Sequence, residues 1–599
     1  MKSRILGIRI FIIITIFILS VRLFSIQIID TSYQEIANRN VIQRAIEYPY
    51  RGLVFDRKGK LLLYNDPIFD LEVTPTKVDL KDSLLIKKLL FITQKEFDQA
   101  YHKAKSFSRH LPSIFYKKLS NEKFAALQDR MIDLEGFNIK SRTTRGYAEL
   151  GLANILGYVG EVTRNQLYMD TTGYYKSGDN IGITGIENTY ESSIRGLRGV
   201  KYHNVDVQGI NMGSFENGAY DTLSQPGLNL VLTIDGALQK YAERLMEGKT
   251  GSLVAIDPSS GEILALVSAP SYDPSLLSGR AFSQNFATIQ RDSLKPFFNR
   301  PLQAMYPPGS MFKTIQALIA LEQDQVQADE IITVNGQLIG DHAPPGRYDM
   351  ERAITKSSNN YFFKVFRRVI QQGEDPSPFI DSRIGYSKWR DYVLQFGFGK
   401  MLDIDLPNEK AGFVPSLESY DKIYGKDRWK FSNIYSLSIG QGELLVTPLQ
   451  MANLGVILAN RGHYFTPHLV RKVGFENLDF SEKQSIEIDT AHFESVLNGM
   501  QALVSVPGSR AYIPDLVFCG KTSTVENPHG LDHSGFMGFA PREDPKIAIA
   551  VYVENAGWGA RAALSTASLV IEKYVNGSVK KKWLESYVLK GNFQDAKPE

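Results

Sequence analysis

YPPGSMFKTIQALIALEQ, from Tyr306 to Gln323, sets a serine directly behind Pro-Pro-Gly and a lysine three residues further on, at the mouth of an apolar helical repeat. Pro307, Pro308 and Gly309 stop any preceding helix and permit a tight turn. Behind them Met311, Phe312, Ile315, Leu318, Ile319 and Leu321 supply the apolar surface of a buried helix. Ser310 is therefore expected at the helix start, where free N–H groups and the dipole favour negative charge, with Lys313 one turn on along the same face. A serine hydroxyl is a poor nucleophile until a base removes its proton. A lysine can be that base only where burial or a neighbouring cation lowers its pKa toward neutrality. An ordinary serine N-cap beside a solvated lysine fits the same stretch, and Ser-x-x-Lys recurs at Ser120/Lys123, Ser419/Lys422 and Ser578/Lys581.

Two further motifs separate Ser310 from those repeats. TKSSNNYFF carries Ser357-Ser358-Asn359, and CGKTST carries Lys521-Thr522-Ser523-Thr524 on a predicted strand. Ser-x-x-Lys, a Ser-x-Asn element and a Lys-Thr-Gly strand form the motif set of serine β-lactamases and penicillin-binding proteins. Each is weak alone; their order and hosting elements make them specific together.

The surrounding pattern defines the fold. Leu228 to Ile234 alternates as a strand, and Asp235 opens a helix. SLVAID, the turn Pro258-Ser259-Ser260-Gly261 and EILALVSAP read as a hairpin of two buried strands. DLVFCGKTST, GFMGFAP and KIAIAVYVEN read as three more strands, followed by a helix from about Arg561 to Val575, and helical patterns fill the middle. Strands at both ends of a segment with helices between them imply an α+β domain, one antiparallel sheet flanked by helices. Upstream, Glu47 to Asn65 reads as two short strands around a Lys58-Gly59 turn, Lys81 to Asp133 as helix-like, and the glycine-rich remainder as an irregular, mostly extended module. The last residues, KKKWLESYVLKGNFQDAKPE, read as a solvated tail.

The 599 residues suit two or three folded units. A net charge of +3 with 22% charged residues points to no nucleic-acid partner, and the single cysteine, Cys519, excludes an intrachain disulfide. Ile5 to Ile29 is almost wholly apolar, interrupted by Arg9 and Arg22, and exceeds the roughly 20 residues a bilayer-crossing helix needs. No small-x-small cleavage site follows it, so it reads as a retained anchor. Lys2 and Arg4 before it place the N-terminus in the cytoplasm and the rest outside.

With those motifs, the chain resembles the class B penicillin-binding proteins, the monofunctional peptidoglycan transpeptidases, and among them the elongation type usually called penicillin-binding protein 2. The resemblance runs through YRGLVFDRKGKLLLYN, GYVGEV, GITGIENTYESSIRGLRG, PGLNLVLTID, VAIDPSSGEILALVSAPSYDP, YPPGSMFK, SIGQGELLVTPLQMA and GKTSTVENPHGLDHSGFMGFAP. It implies a cytoplasmic tail at 1–4, an anchor at 5–29, a pedestal or dimerisation-type domain at 30–235, a β-lactamase-like transpeptidase domain at 236–576 and a C-terminal tail at 577–599. It implies that Ser310 attacks the D-Ala-D-Ala carbonyl of a stem peptide, Lys313 takes its proton, Ser357 relays protons and Asn359 holds the peptide amide. Asn359, Lys521, Thr522, Ser523 and Thr524 would line the bound substrate, with Lys521, Thr522 and Thr524 gathering the terminal carboxylate, and the N–H groups of Ser310 and Thr524 would form the oxyanion hole. It further implies inhibition by β-lactam antibiotics, a SEDS-family glycosyltransferase and other elongation-complex membrane proteins as partners, and a site in the inner membrane with the catalytic domain in the periplasm. A D,D-carboxypeptidase and a catalytically weak scaffold carry the same motifs.

Three departures stand out. Ser523 occupies the glycine position of the third motif, which would project a side chain from a strand along which substrate lies. Arg145-Gly146-Tyr147-Ala148 stands where relatives read Arg-x-Tyr-Pro. The loop GQLIGDHAPPGRYDM keeps only Asp341, His342 and Asp349 where some relatives bind zinc, and His529 and His533 fall in a predicted loop, so no metal and no cofactor is expected.

Overall fold

The computed structural model describes residues 2–29, 42–78, 83–149, 151–206, 211–279, 281–336, 338–591 and 593. The chain forms two compact units, and the division is discontinuous. One comprises Met1–Gly52, Asn65–Thr144 and Arg195–Gly227, the other Leu53–Tyr64, Arg145–Ile194 and Leu228–Glu599. The stretch expected as a single pedestal, 30–235, is thus shared between the two, and its first residues lie outside the described ones.

In the first unit, the helix Lys2–Phe24 continues as a π-helical turn, Ser25–Ile29. Ile5–Ile28 has a mean hydropathy of 2.4 and none of it is buried against the rest of the protein. A helix apolar on every side and of this length suits hydrocarbon rather than water. The predicted helical region resolves into Ser83–Leu90, Gln94–Phe107, entered through a Thr93/Glu96 capping box, and Asn121–Gln128, capped by Ser120. The Ser120/Lys123 repeat is therefore a helix cap. A strand missed by the sequence reading, Ser113–Leu119, interrupts these helices. It pairs antiparallel with Phe69–Val73, and Phe115 and Leu119 enter a small core with Leu71, Val73, Phe97 and Phe137. Its Lys117 and Lys118 hide the alternation, and strand pairing overrides the local pattern.

The second unit carries the predicted hairpin at Val54–Phe55 and the following strand. Asp56 Oδ1 accepts from the N–H groups of Lys58 and Lys60, which closes the turn. Arg145 and Glu187 form a buried ion pair at 2.5 Å, and Tyr147 donates to Gly157 O at 2.9 Å. The unit's main sheet is wholly antiparallel. Its spatial order is Ile263–Ala269, Gly251–Ile256, Ile547–Val553, His533–Ala540 and Cys519–Val525, with Gly251 opposite both Ala269 and Val553 and Thr524 opposite Ser534. Both chain ends build it, as the pattern predicted.

Its strands read as unbroken apolar runs because both faces are covered. Val254, Met537, Ala548 and Ala550 face a core that includes the helices Lys313–Glu322 and Pro448–Ala459. Leu253, Ala255, Ile549 and Val551 face a second core built with Gly236–Met246 and Ala563–Asn576. Asp235 caps the first of these helices, accepting from the N–H groups of Ala237 and Leu238.

The C-terminal residues correct the expectation of a solvated tail. Lys582–Lys590 is a helix whose Leu584 and Val588 are fully buried in the second core, joined there by Phe593. Its short apolar spacing among three charged positions, Lys582, Glu585 and Lys590, disguised a packed face. Leu584→Ala should therefore lower the unfolding free energy by about 2–5 kcal/mol in thermal or chemical unfolding, as a core truncation does. A change within about 0.5 kcal/mol would return these residues to the solvent.

Candidate active site

The turn that presents Ser310 is fixed from several sides. Tyr306 exchanges both backbone hydrogen bonds with Val446, at 2.9 and 2.8 Å, and Gly309 N–H donates to Gly440 O at 2.8 Å. Gly309 sits at φ +55°, in the left-handed region that its missing Cβ makes accessible. The expected helix start is more gradual than the sequence suggested: Gly309–Phe312 is a 3₁₀ turn, and the α-helix begins at Lys313 and runs to Glu322. The apolar residues named from the sequence are all buried, and so is Lys313.

Three motifs distant in sequence meet around one hydroxyl. Lys313 Nζ donates to Ser357 O at 2.6 Å, Ser357 Oγ at 3.2 Å and Asn359 Oδ1 at 2.5 Å. Lys521 Nζ donates to the same Ser357 Oγ at 2.9 Å and to Thr522 O at 3.2 Å. Ser357 therefore stands between two amines. It is the residue after the helix Met350–Lys356 and has φ +57°, a left-handed conformation uncommon for serine. Such backbone strain, of order 1–3 kcal/mol, persists where the surroundings over-determine it, and functional sites are its usual place.

Burial controls the charge of both lysines. It drives the Lys313 pKa well below the ordinary lysine value, and the neighbouring Lys521 charge pushes it the same way, against a weaker opposing pull from Asp341. Burial alone brings Lys521 down to about 7. Both effects favour the uncharged amine at Lys313, the form that can accept a proton.

The remaining predicted residues divide by face. On Cys519–Val525, Lys521 and Ser523 are buried, while Thr522 and Thr524 lie on the half-open face. Thr524 Oγ1 accepts from Gly559 N–H at 3.1 Å. Ser523 corrects an expectation: it does not project along the open side of the strand. Strand alternation turns its side chain inward, 1% exposed, where Oγ donates to Pro308 O at 3.0 Å. Asn359, besides its contact with Lys313, donates from Nδ2 to Gly340 O at 2.6 Å.

Two contributors escaped the sequence reading. Asp341, weighed there only as a metal ligand, accepts from Ser358 Oγ at 3.0 Å and from Asn360 N at 2.8 Å, and so braces the residues beside Ser357 and Asn359. Hydrogen bonds from the Asn360 and Ala343 N–H groups hold its carboxyl below the usual range although burial opposes them. Behind the Ser310 turn, Glu554 accepts from Tyr306 OH at 2.7 Å and Arg300 Nε at 3.0 Å, and the Tyr306 ring stacks on Tyr552 at 4.0 Å. Nothing local in VYVEN signals that role. His533 opens the strand His533–Ala540 rather than lying in a loop, and its Nδ1 accepts from Asn555 N–H at 3.1 Å. Among the described residues, no group of three or more His, Cys, Asp or Glu side chains is placed to hold a metal ion.

A serine on a fixed turn, a buried lysine one turn away and a second serine shared by two lysines are the kinds of group that acyl transfer through a serine ester uses. Residues 251–573 match the penicillin-binding protein transpeptidase domain and residues 46–232 the penicillin-binding protein dimerisation domain, and the chain belongs to the penicillin-binding protein transpeptidase family. It is 28% identical to the peptidoglycan D,D-transpeptidase MrdA of Haemophilus influenzae over 93% of this chain and 89% of that protein. Its fold is similar to that of Helicobacter pylori penicillin-binding protein 2, solved in complex with MreC. The TM-score is 0.73 at 24% identity, over 90% of this chain and 100% of that one. A chain from a peptidoglycan synthase complex, described in terms of the coordination of polymerization and crosslinking, gives a TM-score of 0.71 at 23% identity over 97% and 100%.

The buried amine has a consequence for stability. Folded Lys521 takes its proton only near pH 7, against 10.5 for a free lysine. Between those values the unfolded chain binds more protons than the folded one, so stability rises with pH. From pH 7 to pH 9 this group alone should contribute about 2 kcal/mol of that rise. Chemical unfolding at both pH values should show Lys521→Met gaining about that much less than the parent; equal gains would place the Lys521 pKa in its ordinary range.

Proposed function

We propose that the protein is a peptidoglycan D,D-transpeptidase that cross-links stem peptides in cell elongation and shape maintenance, through an acyl-enzyme on Ser310. The observation that carries this reading is Ser357 Oγ, within hydrogen-bond reach of both Lys313 and Lys521 one helical turn from Ser310. Lys313 turns from Ser357 and Asn359 to take the Ser310 proton as Oγ attacks the penultimate D-alanine carbonyl. The N–H groups of Ser310 and Thr524 receive the oxyanion, each such donor being worth about 3 kcal/mol of barrier. The C–N bond then breaks, the proton passes from Lys313 through Ser357 to the leaving amine, and D-alanine departs, leaving the ester. An acceptor amine attacks that ester, gives up its proton along the same path, and regenerates Ser310 with a new amide bond.

Substrate placement follows from the two faces of the Cys519–Val525 strand. Thr522 and Thr524 hydroxyls, with the charge of Lys521, gather the terminal carboxylate, and Asn359 Nδ2 holds the peptide amide. β-Lactams enter as carboxylate-bearing mimics and acylate the same serine. The Ile5–Ile28 helix anchors the chain once in the inner membrane, with its basic N-terminus in the cytoplasm and the transpeptidase domain in the periplasm. Glycan polymerisation comes from a SEDS-family partner and positioning from other elongation-complex membrane proteins. The MreC complex of the Helicobacter pylori relative, and the synthase complex that couples polymerization to crosslinking, support that assignment.

The test is a transfer assay on the detergent-solubilised full chain, with a pentapeptide ending in D-Ala-D-Ala and an amine acceptor. D-Alanine release should be matched by acceptor-linked product, and Lys313→Ala should slow both by 10²–10⁴-fold, the range of a lost general base. Release without transfer would make the protein a carboxypeptidase. Neither release nor transfer would make it a scaffold.

A further inference from the structure

Where the third motif of the family ends in glycine, this chain places a serine, and the structure shows what that serine touches. Ser523 Oγ lies 3.0 Å from Pro308 O, two residues before the nucleophile. The packing on this side is close: a Cβ on Gly309 would lie 2.2 Å from Ser523 Oγ and 3.1 Å from Val525 Cγ2. The glycine at 309 and the serine at 523 are thus sterically matched, and Gly309 is held at φ +55° with Ser523 seated against it.

The same turn is tied at the neighbouring residues. Gly309 N–H donates to Gly440 O at 2.8 Å, and Tyr552 OH reaches to within 3.5 Å of Pro307 O. The Pro308 carbonyl lies between these two, and the Ser523 hydroxyl satisfies it. A glycine at 523 would leave that carbonyl without this donor and would leave room beside Gly309 for the turn to shift. Placement matters here because a displacement of about 1 Å at a reacting group costs roughly 100-fold in rate.

We propose that Ser523 is a positioning residue for the acyl-transfer step, its hydroxyl tethering the Pro308–Gly309 turn so that Ser310 faces the cleft in its reactive orientation. This rests on the transpeptidase reading. It assigns Ser523 a place behind the nucleophile and takes it out of the set of groups that touch substrate. A tether of this kind acts on the rate constant of acylation rather than on the affinity of the complex that precedes it.

The experiment is stopped-flow acylation of the full chain in detergent by fluorescent penicillin, comparing the parent with Ser523→Ala and Ser523→Gly. Ser523→Ala keeps the Cβ that packs beside Gly535, and Ser523→Gly restores the family residue. Both variants should show a limiting acylation rate constant lowered about tenfold, with the dissociation constant of the pre-acylation complex within twofold of the parent and the burst amplitude retained. Retained amplitude shows folded sites, since misfolding reduces the number of reactive molecules and leaves the rate of the rest alone. An unchanged rate constant, or a loss confined to amplitude or to affinity, overturns the tether. A parent that is not acylated at all overturns the functional reading and the tether with it, whereas an acylated parent with equally fast variants overturns the tether only.

Discussion

Two buried lysine amines donate to one half-buried serine hydroxyl, and much of the larger unit is arranged around that fact. Two buried charges so close would be costly, and the cost falls on whichever proton is held least firmly. Lys313 is fully enclosed and also feels the Lys521 charge, and both push its pKa well below the ordinary lysine value. The desolvation that makes the pair expensive for stability also favours the uncharged amine that the proposed base requires. Activity and stability pull in opposite directions at this point, as they commonly do in active sites.

Holding the two amines there requires elements from across the chain. Lys313 comes from a helix buried along nearly its whole length, Lys521 from an edge strand of the sheet, and Ser357 from a left-handed residue at the end of a short helix. Asp341 fixes Ser358 and Asn360 on either side of Asn359, so a carboxylate outside the three motifs sets the geometry of the second one. The Ser310 turn receives its support from behind, through Gly440, Ser523, and Tyr306 with its Glu554 partner. The sheet contributes rigidity because both of its faces are packed, and its Cys519–Val525 strand carries the motif at its open edge.

Much of this could be read from the sequence, for identifiable reasons. The hairpin at 251–269, the three strands from 519 to 553 and the helix capped by Asp235 were legible because their apolar runs are bounded by turn residues and caps. Lys313 was legible as a buried amine because the residues around it are almost all apolar. The strand Ser113–Leu119 was hidden by its lysines, and the packed helix Lys582–Lys590 by its surface charge. The direction of Ser523 was misjudged because the motif fixes which residues are present but not which face of the strand each one takes. Strand alternation about buried Lys521 sends Ser523 inward and leaves the threonines outward. Glu554 and Asp341 gave no signal because their partners are distant in sequence and single carboxylates are common on any surface.

In the proposed mechanism, this buried amine pair makes Ser310 a nucleophile that forms a covalent ester. The most direct measurement is peptide mapping by mass spectrometry after brief exposure of the full chain to benzylpenicillin at neutral pH, beside Ser310→Ala. The account predicts one penicilloyl adduct, on the peptide containing Ser310, and none in the variant. An adduct on another serine, or none on folded parent protein, would contradict it.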